Sequence, residues 1–299
     1  MTTRIFVFPG QGSQKRGMGA ELFSRFPVQV ALADAELGYS LEELCLRDPS
    51  HRLDQTQFTQ PALFVVNALS FLARLAEKGQ VPHFVAGHSL GEYDALFAAG
   101  VFDFHTGVKL VKQRAALMGQ APGGAMAAVI GLTTTQIREA LTSAGLESID
   151  IANLNSPRQV VISGPDQDLG SSQRALEQAG AQLFKRLNVS AAFHSRYMAA
   201  AERKFATFLD QFQFSLPRIP VISNVTAEPH DPQQIKENLA RQITHSVRWT
   251  ESIQWLLRQP SAEFHEVGPG NVLSGLIRRI RADSKPVSQI QRDTDPTPT

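Results

Sequence analysis

The stretch Phe84-Val85-Ala86-Gly87-His88-Ser89-Leu90-Gly91-Glu92 decides how this chain folds. Phe84 to Gly87 reads as a short buried strand, and helical spacing from Glu92 to Ala99 stops at Gly100, so the run is strand, sharp turn, helix. The turn, Gly87-His88-Ser89-Leu90-Gly91, fits G-x-S-x-G, whose two glycines let the chain bend tightly enough to push a serine hydroxyl out of the backbone. It also sets backbone N–H groups at a helix N-terminus, where they can hold a developing oxyanion. The five residues alone would equally describe a packing turn with an N-cap serine. The strand before them and the helix after them favour a nucleophile.

Working outward, Ile5 to Phe8 is a second buried strand, closed by Pro9-Gly10 and followed by the polar loop Gln11-Gly12-Ser13-Gln14. Pro61 reads as the first residue of a helix that carries Leu63, Val66, Leu69, Leu72 and Leu75 to Gly79, since proline is tolerated in a first helical turn. A further helix is predicted from Phe104 to Gln120, where Pro122-Gly123-Gly124 breaks it. The pattern then changes to strand (125–130), helix (133–144), strands (149–152 and 159–163), helix (169–179) and strand (182–189). That order, β-α-β-β-α-β, is the split-βαβ motif of ferredoxin-like domains. Beyond it, the spacing predicts a long helix (195–212), a strand (219–225), a helix (247–257), a strand (263–267) and a last helix (272–280). The expected organisation is a discontinuous α/β large domain, 1–123 and 190–283, a ferredoxin-like small domain, 124–189, and a polar, aperiodic tail, 284–299, expected to be disordered.

Composition narrows the function. With 42% apolar and 19% charged residues, the chain can bury a large core. Twenty-nine basic against 28 acidic residues leave a net charge of +1, so no nucleic-acid or anionic-membrane surface is implied. The single cysteine, Cys45, allows no internal disulfide and no Cys-x-x-Cys metal or redox motif. The apolar run at the N-terminus is too short for a signal peptide, and no stretch reads as the roughly 20 apolar residues of a spanning helix. A soluble cytoplasmic monomer without a metal is expected.

A serine hydroxyl is a poor nucleophile without a base, so one of the eight histidines belongs beside Ser89 in the fold. His88 points away on such a turn. His51, His83, His105, His230 and His245 stand in polar loops or at element edges. His194, in Ser190-Ala191-Ala192-Phe193-His194-Ser195, and His265, in the strand-like Phe264-His265-Glu266-Val267, both remain open.

At this point the residues resemble those of the FabD-like acyltransferases nearly from end to end. The matching fragments are Phe8-Pro9-Gly10-Gln11-Gly12-Ser13-Gln14, Thr59-Gln60-Pro61-Ala62, Gly87-His88-Ser89-Leu90-Gly91-Glu92-Tyr93, Gln113-Arg114, Gly124-Ala125-Met126-Ala127-Ala128, Phe193-His194-Ser195 and Glu266-Val267-Gly268-Pro269-Gly270. Each is weak alone; in this order they are specific. The resemblance implies an α/β-hydrolase-like large domain with a ferredoxin-like insertion. It implies a ping-pong transfer of a malonyl group from malonyl-CoA, through an ester on Ser89, to the phosphopantetheine thiol of an acyl carrier protein, with no bound cofactor.

The same resemblance assigns His194 as base and then acid, the N–H groups of Gln11 and Leu90 as oxyanion hole, and Arg114 as the group that holds the malonyl carboxylate. Gln60 is expected to line the acyl pocket. A backbone carbonyl in Ser246-Val247-Arg248-Trp249, that of Arg248, is expected to orient the histidine. The family's usual glycine after the arginine is Ala115 here. Phe193 in the Ala-Phe-His-Ser context goes with malonyl over methyl-branched units, and a pocket that discriminates one methylene does so by only about 1–3 kcal/mol. The pattern is most similar to the stand-alone acyltransferases that serve trans-acyltransferase polyketide synthases, including the disorazole type. Two other functions compete: an acyl-carrier hydrolase of the same fold, which would have no use for Arg114, and a noncatalytic carrier-docking domain, against which Ser89, His194 and Arg114 argue.

Overall fold

The computed structural model describes residues 2–283, so the tail expected at 284–299 lies outside the described residues. The chain is a mixed α/β protein with two four-stranded sheets. The first sheet holds β1 (Thr3–Phe8), β2 (Phe84–Gly87), the second sheet β3 (Ala125–Ile130), β4 (Asp150–Ser156), β5 (Gln159–Gly164) and β6 (Leu183–Arg186), and the first sheet resumes with β7 (Val221–Ile222) and β8 (Ala262–Glu266). The first is parallel, in the order β7-β2-β1-β8, with Ile5 opposite both Phe84 and Phe264. The second is antiparallel, in the order β4-β5-β3-β6, and all its strands fall between residues 125 and 186.

Alternation along β1 explains its position. Phe6 and Phe8 enter one core while Ile5 and Val7 enter another with Trp249, Ile253 and Leu276, because successive side chains of a strand point to opposite faces. A strand apolar on both faces must be covered on both, as parallel sheets with crossover helices are. On the antiparallel sheet, Ala125, Ala127 and Val129 pack with Ile137, Leu141, Leu169 and Leu176. Met126 and Val161, on its other face, join the core of the first sheet. Backbone hydrogen bonds Leu154 N–Val247 O and Val247 N–Ala152 O, both 2.9 Å, tie β4 to the segment before the helix Trp249–Leu257.

The helix expected from Pro61 begins at Thr56 and runs to Lys78, with Pro61 inside it. It is long and apolar enough to cross a membrane, contrary to the expectation from the sequence, yet 72% of its apolar window is buried in the protein. It is the core helix behind the parallel sheet. The helices Ala20–Phe23, Pro27–Leu37, Leu41–Leu46 and Ile235–Arg241 were not legible in the pattern. Strand β6 stops at Arg186 rather than Val189, and Leu187 and Val189 turn instead toward a cavity beside Ser89.

Candidate active site

Ser89 stands where β2 turns into the helix Gly91–Ala98, with φ 52°. A serine held in the left-handed region costs energy that the surroundings must supply. Gly87 and Gly91 permit the turn: a Cβ on Gly91 would lie 2.1 Å from Phe8 O, and one on Gly87 would lie 1.8 Å from Gly91 C. Asn224, just beyond β7, clamps it, accepting from Ser89 N at 2.7 Å and donating to Gly87 O at 2.7 Å.

Of the two histidines left open by the sequence, His194 faces the serine, with Nε2 2.8 Å from Ser89 Oγ. His265 lies instead against the Phe6 ring and beside Glu263. His194 is buried, and its Nδ1 lies 2.8 Å from the carbonyl oxygen of Gln242. A carbonyl can only accept, so Nδ1 carries the hydrogen and Nε2 presents a lone pair to the serine hydroxyl. This corrects the expectation for Arg248. The Arg248 carbonyl accepts from Ser252 within the following helix, whereas Gln242, at the end of the helix Ile235–Arg241, turns its own carbonyl toward His194. Burial and the nearby Arg114 charge lower the His194 pKa to about 3, and the Gln242 hydrogen bond opposes them. The imidazole is therefore neutral at physiological pH and free to accept a proton.

Arg114, on the helix Phe104–Gly119, is buried to 1% exposure. It donates from Nη1 to Gln60 Oε1 at 2.5 Å, and from Nη2 to Gln242 Oε1 at 2.8 Å and Ser89 Oγ at 3.2 Å. All these partners are neutral oxygens. Burying a cation costs several kcal/mol unless an anion compensates, and the Tyr93 ring, 5.4 Å from the guanidinium carbon, offsets part of that. Desolvation correspondingly lowers the Arg114 pKa. A buried, charged, planar donor has the geometry to make paired hydrogen bonds to a carboxylate.

Ser89, His194, Arg114 and Gln60 line one cavity of about 90 Å³, with Gln11, His88, Leu90, Met118, Met126, Asn153, Leu187, Val189 and Phe193 completing the wall. The volume is well under the roughly 300–1,000 Å³ of sites for drug-sized ligands, which suits a short acyl group. The loop that follows β1 closes against the serine turn, where a Cβ on Gly10 would lie 2.3 Å from His88 O. The N–H groups of Gln11 and Leu90 have no acceptor among the described residues. The sequence reading did not single out Asn224 or Gln242, and it quoted Glu92 without a role. No sequence signal marked Gln242, which stands in the mixed run Leu239-Ala240-Arg241-Gln242-Ile243-Thr244. Among the described residues, no group of three or more His, Cys, Asp or Glu is placed to hold a metal ion.

Comparison with known proteins agrees with this geometry. Residues 5–294 match the family model of the acyl transferase domain. The chain is 54% identical, over 94% of its length and 97% of the relative's, to the polyketide biosynthesis malonyl CoA-acyl carrier protein transacylase BaeC of Bacillus velezensis. Its structure superposes on that of a malonyl CoA-acyl carrier protein transacylase from Burkholderia pseudomallei with TM-score 0.93 and 48% identity, covering 96% of this chain and 100% of the other. It also matches a malonyl-transacylase solved in complex with its type II PKS acyl-carrier protein, with TM-score 0.89 and 38% identity, covering 93% of each chain. With a tightly turned serine, a buried histidine and a buried arginine around one small cavity, and with these likenesses over 93% or more of its length, the chain belongs to the acyl transferase domain family.

Proposed function

We propose that this protein is a malonyl-CoA:acyl-carrier-protein transacylase that supplies a polyketide synthase in trans. The observation that carries the reading is Arg114: a fully buried guanidinium with only neutral partners, 3.2 Å from the serine hydroxyl. It suits an acyl group that ends in a carboxylate, and a hydrolase of neutral acyl chains would gain nothing from it. In the first half-reaction Ser89 Oγ attacks the thioester carbonyl while His194 Nε2 takes its proton. The oxyanion is received by the N–H groups of Gln11 and Leu90. Collapse breaks the C–S bond, and the His194 proton goes to the departing CoA sulfur. In the second half-reaction the phosphopantetheine thiol of a carrier gives its proton to His194 and attacks the seryl ester; the C–O bond to Ser89 then breaks, and His194 returns the proton to Ser89 Oγ.

The charge on Arg114 is one cause of the low His194 pKa. A malonyl carboxylate seated on Arg114 cancels that charge, so the base strengthens when the acid-bearing substrate is in place. Gln60 holds Arg114, and Phe193, buried to 5% exposure on the cavity wall, occupies the space an α-methyl branch would need. We read the first sheet with its helices, 1–123 and 190–283, as an α/β-hydrolase-like domain, and 124–189 as a ferredoxin-like insertion, on the strand order β4-β5-β3-β6. Cys45 is free and buried, its thiol pushed up to about 12 chiefly by desolvation, which fits a reducing cytoplasm.

The test is intact-protein mass spectrometry after separate incubation with malonyl-, methylmalonyl- and acetyl-CoA, followed by a holo carrier protein. A malonyl adduct that moves from Ser89 to the carrier thiol is expected. Free malonate with no loaded carrier would instead establish a hydrolase.

A further inference from the structure

Behind the cavity lies a second buried polar cluster that the transfer chemistry does not touch. Glu92 is 0% and His230 7% exposed, and His230 Nε2 lies 2.6 Å from Glu92 Oε1. His230 Nδ1 has no partner among the described residues, so Nε2 carries the hydrogen and donates it to the carboxylate. The backbone N–H of Asn224 also donates to Glu92 Oε1, at 3.3 Å. On the other carboxylate oxygen, Oε2, Glu92 accepts from Gln242 Nε2.

Gln242 links this cluster to the site. Its Nε2 also donates to Ser89 O at 3.0 Å, and its Oε1 accepts from Arg114 Nη2 at 2.8 Å. A side-chain amide can ordinarily be turned either way. Here both groups facing Nε2, a backbone carbonyl and a carboxylate, can only accept. They take both amide hydrogens, and Oε1 is left pointing at the guanidinium. Glu92 is also among the charges that raise the Arg114 pKa against its burial.

We propose that Glu92 is a positioning residue: through Gln242 it holds the Arg114 guanidinium where a malonyl carboxylate is received, with His230 holding Glu92 in turn. The proposal rests on the reading of Arg114 given above. An amide at position 92 can direct its own NH₂ at Gln242. The Gln242 amide then flips, and donors face donors at Arg114. Selectivity for the acid-bearing acyl group falls, while the contact of His194 with the Gln242 backbone carbonyl depends on the main chain and is disturbed less.

The experiment compares kcat and KM for malonyl-CoA and acetyl-CoA in the wild type, Glu92→Gln and Arg114→Ala. In Glu92→Gln the malonyl-to-acetyl ratio of kcat/KM is expected to fall at least about tenfold, about 1.4 kcal/mol, mainly through a higher KM for malonyl-CoA. A ratio within about twofold of wild type in Glu92→Gln, with a collapsed ratio in Arg114→Ala, overturns the brace and leaves the reading of Arg114 intact. An unchanged ratio in Arg114→Ala overturns that reading and the brace with it. A role in stability alone would lower both acyl transfers together and leave the ratio unmoved. If Glu92→Gln fails to fold, His230→Leu and His230→Gln decide. The ratio falls in the first, which removes the donor to Glu92, and recovers in the second, which restores an N–H; equal and unchanged ratios in both overturn the proposal.

Discussion

The ends of the two sheets are built differently. Where the parallel sheet meets the cavity, Ser89 sits at φ 52°, and His194 across from it sits at φ 55°. The antiparallel sheet lends Met126 and Asn153 to the same cavity, yet no non-glycine residue between 125 and 186 has a positive φ. Asp48, His51, Ala227 and Ser261 also have positive φ, but at Ser89 and His194 two such residues face each other at 2.8 Å, and strain of this kind persists where the surroundings over-determine it. The wall residues Met126 and Asn153 sit on strands without left-handed residues, although the register of β4 shifts between Ile151 and Asn153, whereas Ser89 and His194 both stand at positive φ.

Removal of the aimed atom tests that contrast most severely. Ser89→Ala is expected to reduce malonyl transfer by at least about 10⁴-fold and to leave no acyl adduct by intact-mass measurement; a persisting adduct would place the nucleophile elsewhere. Next comes the backbone itself. Gly91→Ala drives a Cβ to 2.1 Å from Phe8 O and should cost about 3 kcal/mol or more in denaturant unfolding. Gly170, inside the helix Asp166–Gln178 beside the antiparallel sheet, meets only Arg186 Nη1 at 3.8 Å. Gly170→Ala should therefore stabilise by up to about 1 kcal/mol. If both substitutions have equal effects, the contrast between the two regions is wrong.

The pH profile sharpens the account of His194. In the role proposed for His194 the active form is the neutral imidazole, and its pKa is lowered to about 3 in the free protein. The kcat/KM for malonyl-CoA should consequently show no loss near pH 6.5, where an ordinary histidine titrates. Because a bound carboxylate removes the repulsion from Arg114, the acidic limb of kcat should lie at higher pH than that of kcat/KM. Coincident limbs would show that substrate charge does not reach the base. The smallest effect is expected at the joint between the regions. Asp150 on β4 accepts from Arg196, two residues beyond His194, at 3.0 Å from Nε to Oδ1, but the Arg196 side chain is 60% exposed. Asp150→Asn should change stability by less than about 1 kcal/mol and turnover by less than about threefold.

The sequence by itself determined the strands, the serine turn and the residue types that carry the chemistry, though not every helix. Apolar runs at Ile5–Phe8 and Phe84–Gly87 could only be covered strands, the glycines around Ser89 could only be a tight turn, and the β-α-β-β-α-β order between 125 and 186 is the order observed. Local periodicity records such features because burial acts on each residue's own side chain. Pro61 misled for the same reason: proline marks a constraint on one residue, and the helix around it begins at Thr56 because the wider core favours it. Tertiary structure alone decided which groups meet. Ser89 and His194 are 105 residues apart, and the choice between His194 and His265 rested on resemblance until the fold placed one of them at 2.8 Å. The carbonyl that orients the histidine belongs to Gln242 rather than Arg248, and no sequence pattern could have told them apart, because every residue carries the same carbonyl and only the path of the chain aims it.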